Sequence, residues 1–101
     1  MSVSILILTL NEEANLPDCL QSVKWSDDIV VIDSFSEDRT VEIARAGGAR
    51  VIQRAFDNYA AQRNAGLNKV QFKHPWVLML DADERITPEL WNEIRTAAET
   101  A

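Results

Sequence analysis

The sequence is poor in cysteine, in basic residues and in long apolar segments. Cys19 is the only cysteine among 101 residues, so the chain cannot form an internal disulfide, and a reducing, cytoplasmic compartment is expected. Ten Lys and Arg residues stand against sixteen Asp and Glu residues, which gives a formal net charge of −6. Proteins that bind nucleic acid need a basic surface for its phosphates, so nucleic acid is excluded as a partner.

No apolar segment approaches the roughly 20 residues that a membrane-spanning helix requires. The apolar run at residues 3–10 is much shorter. It lacks a basic leader and a small-residue cleavage site, so we expect a buried strand there and not a signal peptide. The sequence contains no internal repeat, low-complexity stretch or long linker. With 47% hydrophobic and 26% charged residues, the chain is expected to form one globular domain, residues 1–101, with a modest core.

Strand and helix patterns alternate along the chain. Continuous apolar segments at residues 4–8, 29–32 and 76–80 predict strands buried on both faces of a parallel sheet, and the more polar residues 50–53 predict an edge strand. Helices are predicted over residues 15–24, from Ser36 or Asp38 to Ala46, over residues 57–70, and from Thr87 onward. Gly47 and Gly48 are expected to end the second helix. The pattern predicts an α/β fold with a Rossmann-like parallel sheet of about four strands and alternating helices.

Acidic residues follow three of the predicted strands, where ligands of parallel sheets bind. The polar residues at these strand ends are Thr9, Asn11, Glu12 and Glu13 after the first strand, Asp33, Ser34, Ser36, Glu37 and Asp38 after the second, and Asp81, Asp83, Glu84 and Arg85 after the last. Three acidic groups at one edge repel one another unless they hold a cation or hydrogen-bond a ligand. We therefore expect the functional site at this edge.

The tripeptide Asp81-Ala82-Asp83 is the most informative of these groups. Its two carboxylates can bind a divalent cation such as Mg²⁺ or Mn²⁺ and a nearby ligand hydroxyl, with room left for water and phosphate. Such a cation would neutralise a diphosphate leaving group. Taken alone, the tripeptide is more typical of a solvated turn before a helix. Its position after a buried strand, beside two other acidic strand ends, favours the functional interpretation.

Three motifs in this order resemble glycosyltransferase family 2, whose members have the GT-A fold. They are ILILTLNE at residues 5–12, IVVIDS at residues 29–34 and LDADER at residues 80–85. Trp25 and the segment NYAAQRN at residues 58–64 are similar to the bacterial members that add sugars to the lipopolysaccharide core. The resemblance covers nearly the whole chain and implies the amino-terminal, nucleotide-sugar-binding half of a GT-A fold.

The resemblance also implies roles for the residues that match the family motifs. Thr9, Asn11 and Glu12 match the segment that lines the nucleotide base and ribose. Asp33 matches the acidic residue that hydrogen-bonds the base, commonly uracil, and Arg63 matches a basic position near the base and phosphates. Carboxylates accept the N–H of a uracil ring and guanidinium groups pair with phosphate, so the chemistry agrees with these roles.

The third motif implies the diphosphate and metal contacts. Asp81 matches the residue on the ribose and diphosphate side, with Ala82 beside it in the nucleotide-sugar site, and Asp83 matches the metal ligand. The implied activity of the intact enzyme is inverting transfer of a sugar from a nucleotide sugar, commonly of UDP, to an acceptor hydroxyl. The biological setting would be synthesis of lipopolysaccharide or cell-envelope polysaccharide, in the cytoplasm or at the inner face of the membrane.

Two departures from the family pattern stand out. Phe35 occupies a position where the family usually has glycine, so a positive φ at this residue would strain the loop. Family members are also much longer, and their second half supplies the saccharide or lipid-linked acceptor site and the catalytic base. We find no catalytic residue in this chain, which is therefore expected to be an inactive donor-binding fragment. Apolar surface left uncovered in a fragment would allow self-association.

Two other function classes fit parts of the sequence. Phosphatases of the haloacid dehalogenase type also place Asp-x-Asp after a strand, but they carry a threonine where this chain has Arg85, and their motif usually lies on the first strand. A non-catalytic module that binds a nucleotide or a partner protein is the third reading. Nucleotide affinity without turnover would be its signature.

Overall fold

The computed structural model describes residues 3–100, and within this range strands and helices alternate along the chain. The strands are β1 (Val3–Thr9), β2 (Ile29–Asp33), β3 (Arg50–Gln53) and β4 (Trp76–Asp81). The helices are α1 (Leu16–Ser22), α2 (Thr40–Ala46), α3 (Tyr59–Lys69) and α4 (Pro88–Thr100). The strands form one parallel sheet in the order β3-β2-β1-β4. The predicted α/β fold with a four-stranded Rossmann-like sheet is confirmed.

The register of the sheet brings the carboxyl ends of three strands to one edge. Thr9 of β1 pairs with Asp33 of β2, and Leu8 pairs with Asp81 of β4 on its other side. Neighbouring strands lie about 4.8 Å apart, so the residues that follow these strands are within reach of one ligand.

The helices cover the two faces of the sheet unequally. The larger core lies on the face that packs against α1, α2 and α4, and it includes Ile5, Ile7 and Val31 from the strands. On the same face the rings of Trp25 and Trp91 stack with their centroids 3.6 Å apart. A smaller core on the opposite face contains Leu6, Val30 and Ile32.

Helix α3 lies against this second face through Gly66. A Cβ atom at this position would stand 2.7 Å from Leu6 Cδ2 and 2.8 Å from Ile32 Cδ1, so a larger residue would require these buried side chains to shift. Strand β4 is less well covered. Trp76 is exposed, Leu80 alone is buried among its apolar residues, and the prediction that this strand is buried on both faces is wrong. The physical reason is its position beside β1 at an edge of the described sheet.

Local hydrogen bonds account for most of the helix boundaries. Asn58 Oδ1 accepts the backbone N–H of Ala61, so α3 begins two residues later than predicted. Thr87 Oγ1 accepts the N–H of Leu90, which confirms the predicted cap of α4. The left-handed Gly48, with φ of 85°, follows α2 as expected.

Helix α1 begins as predicted, with Asn15 at its N-cap position, but the Asn15 side chain makes no capping hydrogen bond and its amide donates to Glu12 Oε2. This helix spans Leu16–Ser22 and ends before the predicted residue 24. Ser36 does not begin α2, because its backbone N–H and its hydroxyl both donate to Asp33. The helix starts at Thr40, whose N–H donates to Asp38 Oδ1 at 2.9 Å.

A buried carboxylate ties the opposite end of the sheet together. Asp28, just before β2, accepts hydrogen bonds from Ser4 Oγ of β1 at 2.6 Å, from Arg50 Nη2 of β3 at 2.8 Å, and from the backbone N–H of Lys73 at 2.8 Å. This carboxylate therefore links β1 and β3, which lie on either side of β2, to the connection that precedes β4.

Candidate functional site

A cavity of about 300 Å³ opens at the carboxyl edge of the sheet. Of the eight site residues predicted from the sequence, those that line this cavity are Thr9, Glu12, Asp81, Ala82 and Asp83. The remaining three, Asn11, Asp33 and Arg63, are not among its lining residues. Six further residues line the cavity and were not among these eight: Leu8, Leu10, Ser34, Phe56, Tyr59 and Gln62.

The turn after β4 exposes two carboxylates on either side of a buried alanine. Ala82 is 2% exposed and belongs to the larger core, whereas Asp81 and Asp83 are exposed at the cavity. The N–H of Asp81 donates to Glu84 Oε1 at 2.7 Å, and the N–H of Glu84 donates to the Asp81 carbonyl at 2.9 Å, which closes the turn. The buried methyl group anchors the tripeptide, and both acidic side chains stay exposed at the cavity.

Tyr59 at the start of α3 orients the first of these carboxylates. Its hydroxyl donates a hydrogen bond of 2.7 Å to Asp81 Oδ1, and this bond raises the pKa of the Tyr59 phenol. Asp83 makes no hydrogen bond or ion pair with any residue that the structure describes. One carboxylate is therefore held in place by the protein, and the other remains available.

A divalent cation fits this pair of carboxylates only together with a ligand. In residues 3–100, no group of three or more His, Cys, Asp and Glu side chains is placed to hold a metal ion. Mg²⁺ is usually bound through one or two carboxylates, with substrate phosphates and waters as its other ligands. Asp81 and Asp83 match that donor set. The site thus suits a cation that arrives with a diphosphate and not a cation caged by the protein alone.

Asp33 does not line the cavity, and its carboxylate is fully engaged by the protein. The residue is 0% exposed. Its oxygens accept hydrogen bonds from Thr9 Oγ1 at 2.7 Å, from the backbone N–H and hydroxyl of Ser36 at 2.8 and 2.5 Å, and from Gln53 Nε2 at 3.5 Å. Asp33 thereby joins the ends of β1, β2 and β3. A contact between Asp33 and a nucleotide base stays a prediction.

The loop between β2 and α2 is fastened to the loop after β1. Asn11 Oδ1 accepts the N–H of Glu37, and the N–H of Asn11 donates to Ser36 Oγ, both at 2.8 Å. The N–H of Glu12 donates to Thr40 Oγ1 at 2.8 Å. Asn11 thus has a visible role in holding two loops together, and its contact with a nucleotide stays a prediction.

Phe35 adopts the left-handed backbone conformation within this loop. Its φ is 57°, as expected for a position that is usually occupied by glycine in the resembled family. The side chain is exposed, so no packing in the described structure compensates for the strain. The anticipated conflict between loop geometry and residue type is confirmed.

Helix α3 contributes a different set of side chains from the one predicted. Tyr59, Gln62 and Gly66 lie at i, i+3 and i+7, which places them on the helix face that meets the sheet. Arg63 is exposed and does not line the cavity. The signal that would have found Tyr59 and Gln62 is their helical spacing from Gly66, the residue whose missing side chain allows close packing. A phosphate contact of Arg63 stays a prediction.

The fold and the acidic edge define the class of protein: the structure matches the amino-terminal, Rossmann-like portion of GT-A enzymes. It superimposes on Staphylococcus aureus TarS 1–349 in complex with UDP-GlcNAc with a TM-score of 0.79 at 24% identity, covering 99% of this chain and 32% of that one. Mycobacterium tuberculosis glucosyl-3-phosphoglycerate synthase in complex with UDP matches with a TM-score of 0.70 at 25% identity, covering 82% of this chain and 34% of that one.

Sequence comparison identifies the family. The sequence-family model described as Glycosyl transferase family 2 matches residues 4–100. The chain therefore belongs to glycosyltransferase family 2, as the motifs predicted. An uncharacterized glycosyltransferase of Rickettsia bellii is 38% identical over 93 residues, which is 91% of this chain and 31% of the relative. The lipopolysaccharide core biosynthesis glycosyltransferase LpsC of Rhizobium meliloti is 35% identical over 95 residues, covering 89% and 34%.

The family assignment favours the glycosyltransferase interpretation over the phosphatase alternative. The chain spans about a third of the length of these curated relatives. Of the helices in the described range, none combines the length and the apolar character needed to cross a membrane.

Proposed function

We propose that this chain binds the nucleotide-sugar donor of an inverting glycosyltransferase, with UDP as the nucleotide and Mg²⁺ or Mn²⁺ as the bound cation. The observation that carries the proposal is the pair of exposed carboxylates, Asp81 and Asp83, at one end of a cavity formed by the carboxyl ends of three strands. The protein's net charge of −6 makes a cation necessary there, since a diphosphate would otherwise meet an acidic surface.

Each carboxylate has its own part in the proposed site. Asp83 has no protein partner among the described residues and would bind the cation directly. Asp81, held by Tyr59, would face the ribose and diphosphate with one oxygen still free of protein hydrogen bonds. When bound, the cation neutralises charge that develops on the departing diphosphate. Thr9 and Glu12 line the same cavity and complete its β1 side.

The acceptor, a saccharide or a lipid-linked saccharide, and the base that takes its proton would be bound and supplied by a further part of the enzyme. We infer a role in the synthesis of lipopolysaccharide or another envelope polysaccharide, at the cytoplasmic face of the membrane. The relative LpsC is named for lipopolysaccharide core biosynthesis, and the structural relative TarS was crystallised with UDP-GlcNAc. These relatives support the proposal by similarity.

Calorimetric titration of the purified chain with UDP, with and without Mn²⁺, tests the donor site. We expect binding that requires the cation, that is lost in Asp83→Ala, and that persists in Glu42→Ala. Glu42 is the matched control because it is an exposed carboxylate on α2, outside the cavity, and its removal changes the charge equally. Equal affinity in the presence of a chelator would refute the cation's role. A folded chain that binds UDP under neither condition would refute the proposed donor site.

A further inference from the structure

We propose that Arg85 is a positioning residue for the cation site: its guanidinium group holds the backbone of the residues on either side of Asp83 and so directs that carboxylate into the cavity. The inference rests on the proposed function, because it concerns the turn that would carry the cation. It gives a task to a residue of the LDADER motif for which no contact with the donor or the cation is proposed.

The direction of the Asp83 side chain depends on the backbone. Tyr59 holds the Asp81 carboxylate through a hydrogen bond of 2.7 Å, whereas the Asp83 side chain makes no hydrogen bond or ion pair with any residue that the structure describes. Asp83 is exposed and lines the cavity. A carboxylate on a mobile turn would have to be ordered when the cation binds, and this ordering would lower the affinity. A turn that is fixed in advance avoids this loss.

Both ends of the turn are anchored in the core. Ala82 is buried at the start of the turn. Ile86 is buried at its end, and the N–H of Ile86 donates to Ser22 Oγ of α1 at 3.1 Å. Residues 83–85 lie between these anchors and are exposed or half-buried. This short segment therefore needs hydrogen bonds of its own to keep one conformation.

Arg85 supplies two of these hydrogen bonds from one nitrogen atom. Its Nη1, which carries two hydrogens, donates to the carbonyl of Ala82 at 3.0 Å and to the carbonyl of Glu84 at 2.8 Å. The first bond holds the peptide group that joins Ala82 to Asp83. The peptide group after Asp83 is held by the N–H of Glu84, which donates to the carbonyl of Asp81 at 2.9 Å. Both peptide groups of Asp83 are therefore held, and with them the direction of its side chain.

The guanidinium group acts through the turn and does not meet the ligand. Arg85 is not among the residues that line the cavity. Its other terminal nitrogen, Nη2, lies 4.0 Å from Asp18 Oδ2 on α1. The Asp18 side chain is 82% exposed, so solvent screens this ion pair and it holds the guanidinium group only weakly. The two backbone carbonyls are the main partners of Arg85.

Two substitutions separate the geometry of the guanidinium group from its charge. A guanidinium group is planar and holds its hydrogens in fixed directions, whereas the ammonium group of lysine is a point charge on a flexible stem. Arg85→Lys therefore keeps the positive charge and loses the rigid link between the two carbonyls. Arg85→Met keeps much of the apolar stem and loses both. Because the proposal concerns geometry, both variants should behave alike.

The first measurement is the mobility of the turn in the chain without ligand. Backbone order parameters from NMR relaxation are about 0.85 in rigid segments and below about 0.6 in flexible ones. We expect values typical of a rigid segment for Asp83 and Glu84 in the parent chain, and clearly lower values in both Arg85 variants. Arg95→Lys is the matched control, because Arg95 is an exposed arginine on α4 that donates to Asn92 Oδ1 of the same helix. It should leave the turn unchanged.

The second measurement is the affinity for UDP in the presence of Mn²⁺, determined by calorimetry. The net contribution of one hydrogen bond corresponds to roughly a three- to tenfold change in affinity. We expect both Arg85 variants to weaken UDP binding by about this factor, and Arg95→Lys to bind UDP like the parent chain. The loss should be smaller than that in Asp83→Ala, because the cation ligand itself is kept.

Thermal unfolding shows whether each variant is folded. Both Arg85 variants should be, because the Arg85 side chain is 34% exposed and its removal leaves no closed cavity. If one of them is unfolded, the mobility and the UDP affinity of the other decide the question.

The outcomes distinguish this inference from the proposed function. Cation-dependent UDP binding that is unchanged in the Arg85 variants overturns the inference and leaves the donor site in place. Weak binding by Arg85→Met together with parent-like binding by Arg85→Lys also overturns it, because charge and not geometry would then be responsible. Equal mobility of the turn in all of these chains overturns it as well. A parent chain that does not bind UDP overturns both proposals.

Discussion

Replacing Asp28 tests how the sheet is held together at the end opposite the cavity. Asp28 is 2% exposed, and its carboxylate accepts hydrogen bonds from Ser4, Arg50 and the backbone N–H of Lys73. Asp28→Ala removes the acceptor of all three donors. The Ser4 hydroxyl is itself buried and would lose this partner inside the protein. Asp28→Ala should therefore lower the free energy of unfolding by much more than a substitution on the surface does.

The magnitude follows from the three contacts. A hydrogen bond to a charged group contributes about 1.5–3 kcal/mol. The Arg50 side chain is about half exposed, so solvent screening makes its contribution small. The two remaining bonds give an expected loss of about 3 kcal/mol for Asp28→Ala, which is a large share of the roughly 5–15 kcal/mol of a typical domain. Asp28→Asn keeps one carbonyl oxygen and should lose about half of this amount.

The same carboxylate predicts how stability depends on pH. Burial alone would raise the pKa of Asp28, but the hydrogen bonds from Ser4, Lys73 and Arg50 outweigh it and lower the pKa below the ordinary 3.8. A lowered folded-state pKa contributes stability that is present above the unfolded-state pKa of about 3.9 and is lost as the pH falls through the folded-state value. The stability difference between the parent chain and Asp28→Asn should therefore shrink below about pH 4.

Urea unfolding followed by circular dichroism, at neutral pH and in acid, measures both effects. Asp27→Asn is the matched control, because Asp27 is the adjacent carboxylate and is exposed on the surface beside His74. We expect it to change the free energy of unfolding far less than Asp28→Ala does, because Asp27 is exposed and its pairing with His74 is screened by solvent. Similar losses for Asp28→Ala and Asp27→Asn would refute the assignment of Asp28 as a structural link. A loss for Asp28→Asn that does not shrink in acid would refute the pH argument.

Three further predictions concern single positions. Burial raises the pKa of the Cys19 thiol to about 11, so a thiol reagent at neutral pH should label the folded chain roughly 100-fold more slowly than the urea-unfolded chain; similar rates would contradict this. Phe35→Gly should raise the free energy of unfolding by about 0.5–1 kcal/mol by relieving a positive φ, whereas Gly48→Ala should lower it by about as much; urea unfolding of both variants checks the opposite signs. Tyr59 is the only tyrosine, and its hydrogen bond to Asp81 raises its pKa. Asp81→Asn should move that pKa down toward its ordinary value in an ultraviolet absorbance titration, and an unchanged value would show that the bond is absent in solution.

The strand pattern was sufficient to predict the fold because the strands can be recognised from the local sequence. Continuous apolar runs separated by helical periodicity allow few arrangements other than a parallel sheet with crossover helices. Strand β4 shows the limit of this reasoning. Its apolar residues match those of β1, but the degree of burial depends on what packs on each face, and that is a property of the whole fold.

The residues of the candidate site could be predicted where they follow a strand. Those that lie on helix α3 could be predicted much less well. The turn at Asp81 follows directly from strand and motif, and the structure places it at the cavity. Gln62 gave no such signal, because a glutamine in a helix is usually solvated and nothing local shows that it is buried. Asp33 and Ser34 are adjacent in sequence, and only the folded chain shows that Ser34 lines the cavity whereas Asp33 is buried and does not.

Helix α3 packs closely on the sheet at Gly66, so this residue affects the position of the side chains that α3 contributes to the cavity. Tyr59 and Gln62 stand on the same helix, the farther of them about 10 Å away along its axis. A side chain at position 66 would press on Leu6 and Ile32, and any shift of α3 that relieves this contact would also move Tyr59 and Gln62 relative to their partners. A mutational survey scored by ligand binding would therefore find intolerance at a residue that never meets the ligand. Such a position limits how far the cavity of this chain can be altered without changing the core that supports α3.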